Sequence, residues 1–143
     1  MSLIAWMVAP YRRFAAFTGR SRRREFWAFA LFYWLVTGAL VLGFGRPTTF
    51  VWPFGYAVTV WVPQGSSGVW LGGLFHLVSF VPAFAVTVRR LHDVDRSGWW
   101  LLAWGVPMIG WAVVMVFLCL DGSCGRNRYG FDPRGRMRVE MYR

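Results

Sequence analysis

Two long stretches of this 143-residue chain, Pro47–Val88 and Ser97–Leu120, contain no Asp, Glu, Lys or Arg. Between them lies Arg89-Arg90-Leu91-His92-Asp93-Val94-Asp95-Arg96, five charges and a histidine in eight residues, followed by Ser97-Gly98-Trp99-Trp100. Charge is costly in hydrocarbon, whereas Arg and Trp side chains favour the lipid–water boundary. The charged string is therefore expected at a membrane surface, between apolar segments. A crossing takes roughly 20 apolar residues. Phe26–Phe44, Val69–Val88 and Trp99–Leu120 each meet that length.

Composition supports this reading. The chain is 57% hydrophobic, 20% aromatic and only 15% charged, and so short a soluble domain could not wrap three fully apolar helices. The first run begins too far into the chain and is too long for a cleavable signal peptide, and no small-x-small cleavage site precedes a soluble domain. The expected fold class is an all-α polytopic membrane helical bundle with three hydrophobic spans. It is read as one membrane domain over residues 1–143: an interfacial basic arm (1–25), spans at 26–44, 69–88 and 99–120, and a basic tail (121–143).

Within the arm, Leu3, Ile4, Trp6, Met7 and Val8, then Tyr11, Phe14 and Phe17, suggest an amphipathic segment lying in the interface and broken near Pro10. Ser21 is expected to cap the first span, with Glu25 in its first turn. Thr48–Pro63 is apolar, interrupted by Pro53 and Gly55, and alternates rather than repeating at helical period. It reads as an interfacial or re-entrant segment, and a fourth span if it crosses. Gln64–Gly68 reads as a flexible turn. Gly105, Pro107 and Gly110 predict a kink or a hairpin-like break in the third span.

All 16 basic residues are Arg, and the net charge is +10. Guanidinium suits phosphate recognition, while codon bias accounts for the missing Lys. Membrane orientation and anionic headgroups explain the charge better than nucleic acid, for which no soluble face remains. Three simple spans with the N-terminus inside would leave nine Arg inside against seven outside. A third span that turns back places fifteen Arg on one side and only Arg46 on the other. Arrangements with both termini inside fit the positive-inside bias better. Cys119 and Cys124 lack the further ligands of a zinc site, and Cys119 is expected to be a small buried apolar residue.

Four blocks carry a family resemblance. Phe17-Thr18-Gly19-Arg20-Ser21-Arg22-Arg23-Arg24-Glu25-Phe26-Trp27 resembles the N-terminal signature of the bacterial membrane family Domain of Unknown Function 805. Arg89-Arg90-Leu91-His92-Asp93 with Arg96-Ser97-Gly98-Trp99-Trp100 resembles its second block, and Pro107-Met108-Ile109-Gly110-Trp111 its third. Gly122 to Gly125 with Asn127-Arg128-Tyr129-Gly130 and Asp132-Pro133 resembles its last. The apolar insert between Arg46 and Gly68 departs from the pattern. The resemblance implies a small multi-pass protein of the bacterial inner membrane and brings no established activity.

The candidate site is the charged loop. Arg89, Arg90 and Arg96 would hold an anionic lipid headgroup or other phosphate, with Trp99 and Trp100 as interfacial anchors. His92, Asp93, Asp95, Asn127, Arg128 and Asp132 would form a polar network, in which Asp93 neutralises Arg89 or Arg90 and caps the next helix. A catalytic role for His92 lacks a nucleophile, and a metal on His92, Asp93 and Asp95 has a weak ligand spacing. No catalytic residue, metal or cofactor is expected. His76, inside the second span, is an intramembrane ionisable group. The leading expectation is a non-enzymatic binding or assembly module whose partners are anionic membrane lipids, a membrane protein or a second copy. The alternative is a small transporter or channel using His76 and the kinked third span.

Overall fold

The computed structural model describes residues 2–51, 57–63, 65–106 and 109–136. Helix α1 spans Leu3–Arg12, α2 Arg23–Phe44, α3 Gly65–Asp93 and α4 Ile109–Cys119, with a 3-10 helix at Gly98–Gly105 before α4. Strands β1 (Gly45–Val51) and β2 (Ala57–Pro63) lie between α2 and α3. The chain divides into two compact units, Met1–Ala30 with Val81–Arg143, and Leu31–Phe80.

At 1.5 Å per residue, α2 is about 33 Å long and α3 about 43 Å, each enough to cross a hydrocarbon core of about 30 Å. Both are long and apolar enough to span. Their outer faces carry Leu42 at 90% exposure, Trp70 at 77% and Leu77 at 72%. Apolar patches of that kind are rare on soluble monomers and fit a lipid surround.

The third expected span is not one continuous helix. It is two short helical pieces, and α4, at 11 residues, is only about 16 Å long. Trp100 and Phe117 meet edge to face with ring centroids 5.1 Å apart. In a straight helix, residues so separated would be about 25 Å apart. The segment therefore folds back on itself, as Gly105, Pro107 and Gly110 allow. Gly110 packs against the carbonyl of Ala103, where a Cβ would overlap the backbone. Pro107 and Met108 lie outside the described residues.

The expectation of an all-α chain is corrected between α2 and α3. β1 and β2 form an antiparallel hairpin, paired from Gly45↔Pro63 to Val51↔Ala57. Thr48, Thr49, Val51, Val58, Thr59, Val60 and Val62 are β-branched, the residue type that a pleated strand favours. Pro47 and Pro63 are tolerated because each strand of a two-stranded hairpin keeps a free edge. Pro53 and Gly55 lie outside the described residues. Helix α3 begins at Gly65, so most of the expected Gln64–Gly68 turn is its first turn.

In the unit Leu31–Phe80, the Phe44 side chain fills the space a Cβ on Gly68 would need. In the other unit a small core joins four elements: Val88 and Leu91 of α3, Leu101 of the 3-10 helix, and Val114 and Leu118 of α4, with Phe26 of α2 against them. Gly98 lets the chain pass Val88, since a Cβ there would lie 3.0 Å from a Val88 methyl. The expected break at Pro10 does not occur. Pro10 is buried inside α1, which continues to Arg12, and Tyr11 packs edge to face on Phe29 at 5.5 Å.

Candidate functional site

The polar residues of the unit Met1–Ala30 with Val81–Arg143 gather at the C-terminal end of α3. A helix C-terminus presents unsatisfied carbonyls and partial negative charge. Asp93, the last residue of α3, adds a carboxylate there. Arg20 answers it from the basic arm, its Nε donating to Asp93 Oδ1 at 2.9 Å. Arg90 donates from Nη1 to the other carboxylate oxygen, Oδ2. The Arg20, Arg90 and Asp93 side chains are 1%, 0% and 3% exposed.

Each of these guanidinium groups is spent on more than one partner. Arg20 Nη1 donates to the Gly125 carbonyl at 2.7 Å, and Nη2 to the Ser123 carbonyl. Arg90 Nε donates to the Leu118 carbonyl at 3.2 Å, and Nη2 to that of Leu120. Arg90 thereby satisfies the end of α4 and places a cation against its dipole. The tail closes the end of α3 in return. The Ser123 N–H donates to the Asp93 carbonyl at 2.8 Å, and Asn127 Nδ2 to the His92 carbonyl at 2.9 Å. Gly122 presses on the Asp93 carboxylate so closely that a Cβ would overlap it.

Arg89 turns to a second carboxylate. Its Nη1 lies 3.3 Å from Glu25 Oε1, with side chains 1% and 7% exposed. Asp132, with its side chain 2% exposed, faces Arg20 at 4.0 Å and accepts from Arg136 Nε at 2.8 Å. Three buried arginines (20, 89, 90) thus meet three buried carboxylates (25, 93, 132). Matching of this kind is what a buried charge requires, because an uncompensated ion in a dry interior costs several kcal/mol. Burial alone would raise the Asp132 carboxyl. The Arg134 backbone N–H and the Arg136 guanidinium outweigh it and hold the group below the usual carboxylate range.

The remaining loop residues take separate partners. The His92 ring stacks on Tyr129, with centroids 3.8 Å apart and planes 3° from parallel. Its Nδ1 lies 3.3 Å from the Gly19 carbonyl, which can only accept, so Nδ1 carries the proton. Asp95, at φ 57°, adopts the left-handed conformation that Asp tolerates, and accepts from Arg128 Nε at 3.2 Å. Its hydrogen bond and charge hold Arg128 above its ordinary pKa. Neither Asp93 nor Asp95 orients the His92 imidazole. Among the described residues no three metal-ligating side chains come together. Arg96 is exposed and lies over the Phe117 ring at 5.3 Å, while Trp99 and Trp100 are 77% and 39% exposed. In the other unit, His76 Nδ1 is hydrogen-bonded to the Tyr33 hydroxyl at 2.7 Å.

Two capping expectations change. Asp93 does not cap the next helix. Ser97 does, accepting from the Trp99 N–H at 3.3 Å. Ser21 does not cap α2, which starts at Arg23. Instead its N–H donates to the Arg89 carbonyl at 3.1 Å, and its hydroxyl is buried without a hydrogen bond. Cys119 is exposed rather than buried, one position past the inward-facing Leu118, and neither it nor Cys124 is in a disulfide. Reading the sequence as a loop missed Arg20, Glu25, Gly122, Ser123 and Arg136 as members of the site. One signal pointed to Glu25: it is the sole acidic residue before Asp93.

The family model for proteins of unknown function designated DUF805 matches residues 14–131. The inner membrane protein YhaI of Escherichia coli K12 is 37% identical over 134 residues, 90% of this chain and 95% of the relative. The inner membrane protein YhaH of the same organism is 36% identical over 132 residues, 90% of this chain and 96% of the relative. No solved structure matches the chain significantly.

Proposed function

The chain belongs to the DUF805 family and is a multi-pass protein of the bacterial inner membrane, and from that premise we propose that it is a non-enzymatic binding module that engages anionic lipid. Arg89 and Arg90 are buried against Glu25 and Asp93, so their work in this reading is to lock the arm, the end of α3 and the end of α4 together. The part of the charged loop left to meet lipid is the exposed turn of Arg96, Trp99 and Trp100. Its exposure carries the reading: a cation beside two indoles is the composition of a headgroup-level anchor. The clamped polar face would then lie on the cytoplasmic side. That orientation satisfies the positive-inside bias, because fifteen of the sixteen arginines belong to the arm, the loop and the tail. Helix α1, with Leu3 and Ile4 exposed, would lie in the same interface.

The test is thermal unfolding in nanodiscs of phosphatidylcholine with and without phosphatidylglycerol. The reading expects anionic lipid to raise the midpoint, and Arg96→Gln with Trp99→Ala to shrink that rise. An equal midpoint in both lipids would overturn it. The transporter alternative rests on His76, whose bond to Tyr33 also serves as a structural link between α2 and α3. Solute or proton flux in proteoliposomes that vanishes in His76→Ala would favour the alternative.

A further inference from the structure

We propose that a cavity beneath α1 is a binding site for a phosphate group, presented by an anionic phospholipid. The cavity has a volume of about 490 Å³ and is lined by Trp6, Arg12, Arg13 and Arg22 of the basic arm, Glu25 of α2 and Pro133 of the tail. This proposal deepens the reading above, on which it rests for the lipid source. It uses different residues from the Arg96–Trp100 turn.

Charge is the first observation. Arg20 also borders the cavity, but its guanidinium is committed to Asp93 and to tail carbonyls. Glu25 is the single acid in the lining and faces Arg89. Among the described residues, Arg12, Arg13 and Arg22 form no ion pair. Three arginines without an ion-pair partner therefore line one space, against the single Glu25 carboxylate. An anion would offset this excess of positive charge, and the planar guanidinium forks match phosphate oxygens.

Orientation is the second. Arg22 Nη2 donates to the Pro133 carbonyl, and its guanidinium carbon lies 6.0 Å from the centre of the Trp6 ring. That contact holds the fork at the cavity wall and leaves its other N–H groups uncommitted. Size and setting favour a lipid source. The volume lies in the range of small-molecule sites, roughly 300–1,000 Å³, and leaves room around a phosphate for a headgroup. Leu3 and Ile4, 58% and 71% exposed, give the same helix an apolar surface for acyl chains.

The experiment is native mass spectrometry of the full-length protein titrated with phosphatidylglycerol or phosphatidylcholine, read as the occupancy of the first bound lipid. Phosphatidylglycerol is expected to bind about tenfold more tightly than phosphatidylcholine, and Arg12→Gln with Arg13→Gln to remove that preference. Both side chains are exposed and lie outside the Arg20–Asp93 clamp, so the fold is retained. Arg126→Gln, an exposed cation outside the cavity, should leave the preference intact. Glycerol 3-phosphate separates the sources: weak competition supports a lipid ligand, and displacement at equal concentration overturns the lipid assignment. An unchanged preference in the Arg12/Arg13 variant overturns the cavity site. If that preference instead falls in the Arg96/Trp99 variant, the cavity fails and the broader reading survives. If it falls in neither variant, both fail.

Discussion

Arg20 and Asp93, 73 residues apart in the chain, share a hydrogen bond of 2.9 Å with both side chains almost wholly buried. The same carboxylate holds Arg90, and through Arg20 and Arg90 it reaches the tail and the end of α4. One acidic side chain thus organises four segments.

Asp93→Asn should be among the most damaging substitutions in the protein. It leaves two buried guanidinium groups facing a neutral amide, a loss of about 3–5 kcal/mol for a buried pair broken on one side. Asp95→Asn removes a carboxylate from a pair whose side chains are 43% and 71% exposed, and should cost about 0–1 kcal/mol. Thermal or denaturant unfolding in one detergent compares the two directly.

Gly122→Ala should act on the same site without changing any charge. The added methyl would occupy the place of the Asp93 carboxylate, and overpacking of this kind costs about 1–3 kcal/mol. Gly73→Ala in α3 serves as the control, since a Cβ there meets nothing within 4 Å. A midpoint shift for Gly122→Ala no larger than that of Gly73→Ala would show that the tail does not press on Asp93.

Acid should weaken the tail through Asp132. Its folded-state pKa lies below the unfolded value of about 3.9. Its contribution is therefore fully present above that value and is lost as pH falls through the lower, folded-state pKa. Asp132→Asn should lower the unfolding midpoint at neutral pH and narrow its gap to the parent protein as the pH drops below about 4. A gap that stays constant down to low pH would mean Asp132 carries no such contribution.

The fold-back of the third apolar segment predicts sidedness. Engineered cysteines at Ser2 and Asp95 and the native Cys124, each studied as a single cysteine, should react with an impermeant maleimide from the same side of sealed vesicles. Labelling of Cys124 from the side opposite Asp95 would mean that the segment crosses.

What the sequence disclosed follows from range. The charge-free runs declare α2 and α3 because burial in lipid depends only on local composition. Gly105, Pro107 and Gly110 announced a break, although its meaning as a fold-back needed the contact of Trp100 with Phe117. The hairpin is legible as alternation around Thr48 and Val60, but the apolar character of that stretch fits a membrane segment equally well. The local pair of Asp93 with Arg90 was legible, whereas pairings distant in the chain lay out of reach. Nothing local selects Arg20 from sixteen arginines as the partner of Asp93, or joins Glu25 to Arg89 rather than to the α2 dipole. Reading Arg89 and Arg90 as a surface pair also followed from their neighbours, because exposure is decided by segments far away in the chain.

The most direct test of the clamp is a double-mutant cycle on Arg20→Gln and Asp93→Asn, read as unfolding free energy in a single detergent. The structure predicts a coupling within the range of about 0.5–3 kcal/mol seen for residues in contact, with the double variant less damaged than the two single losses combined. Additive losses, with coupling near zero, would contradict it.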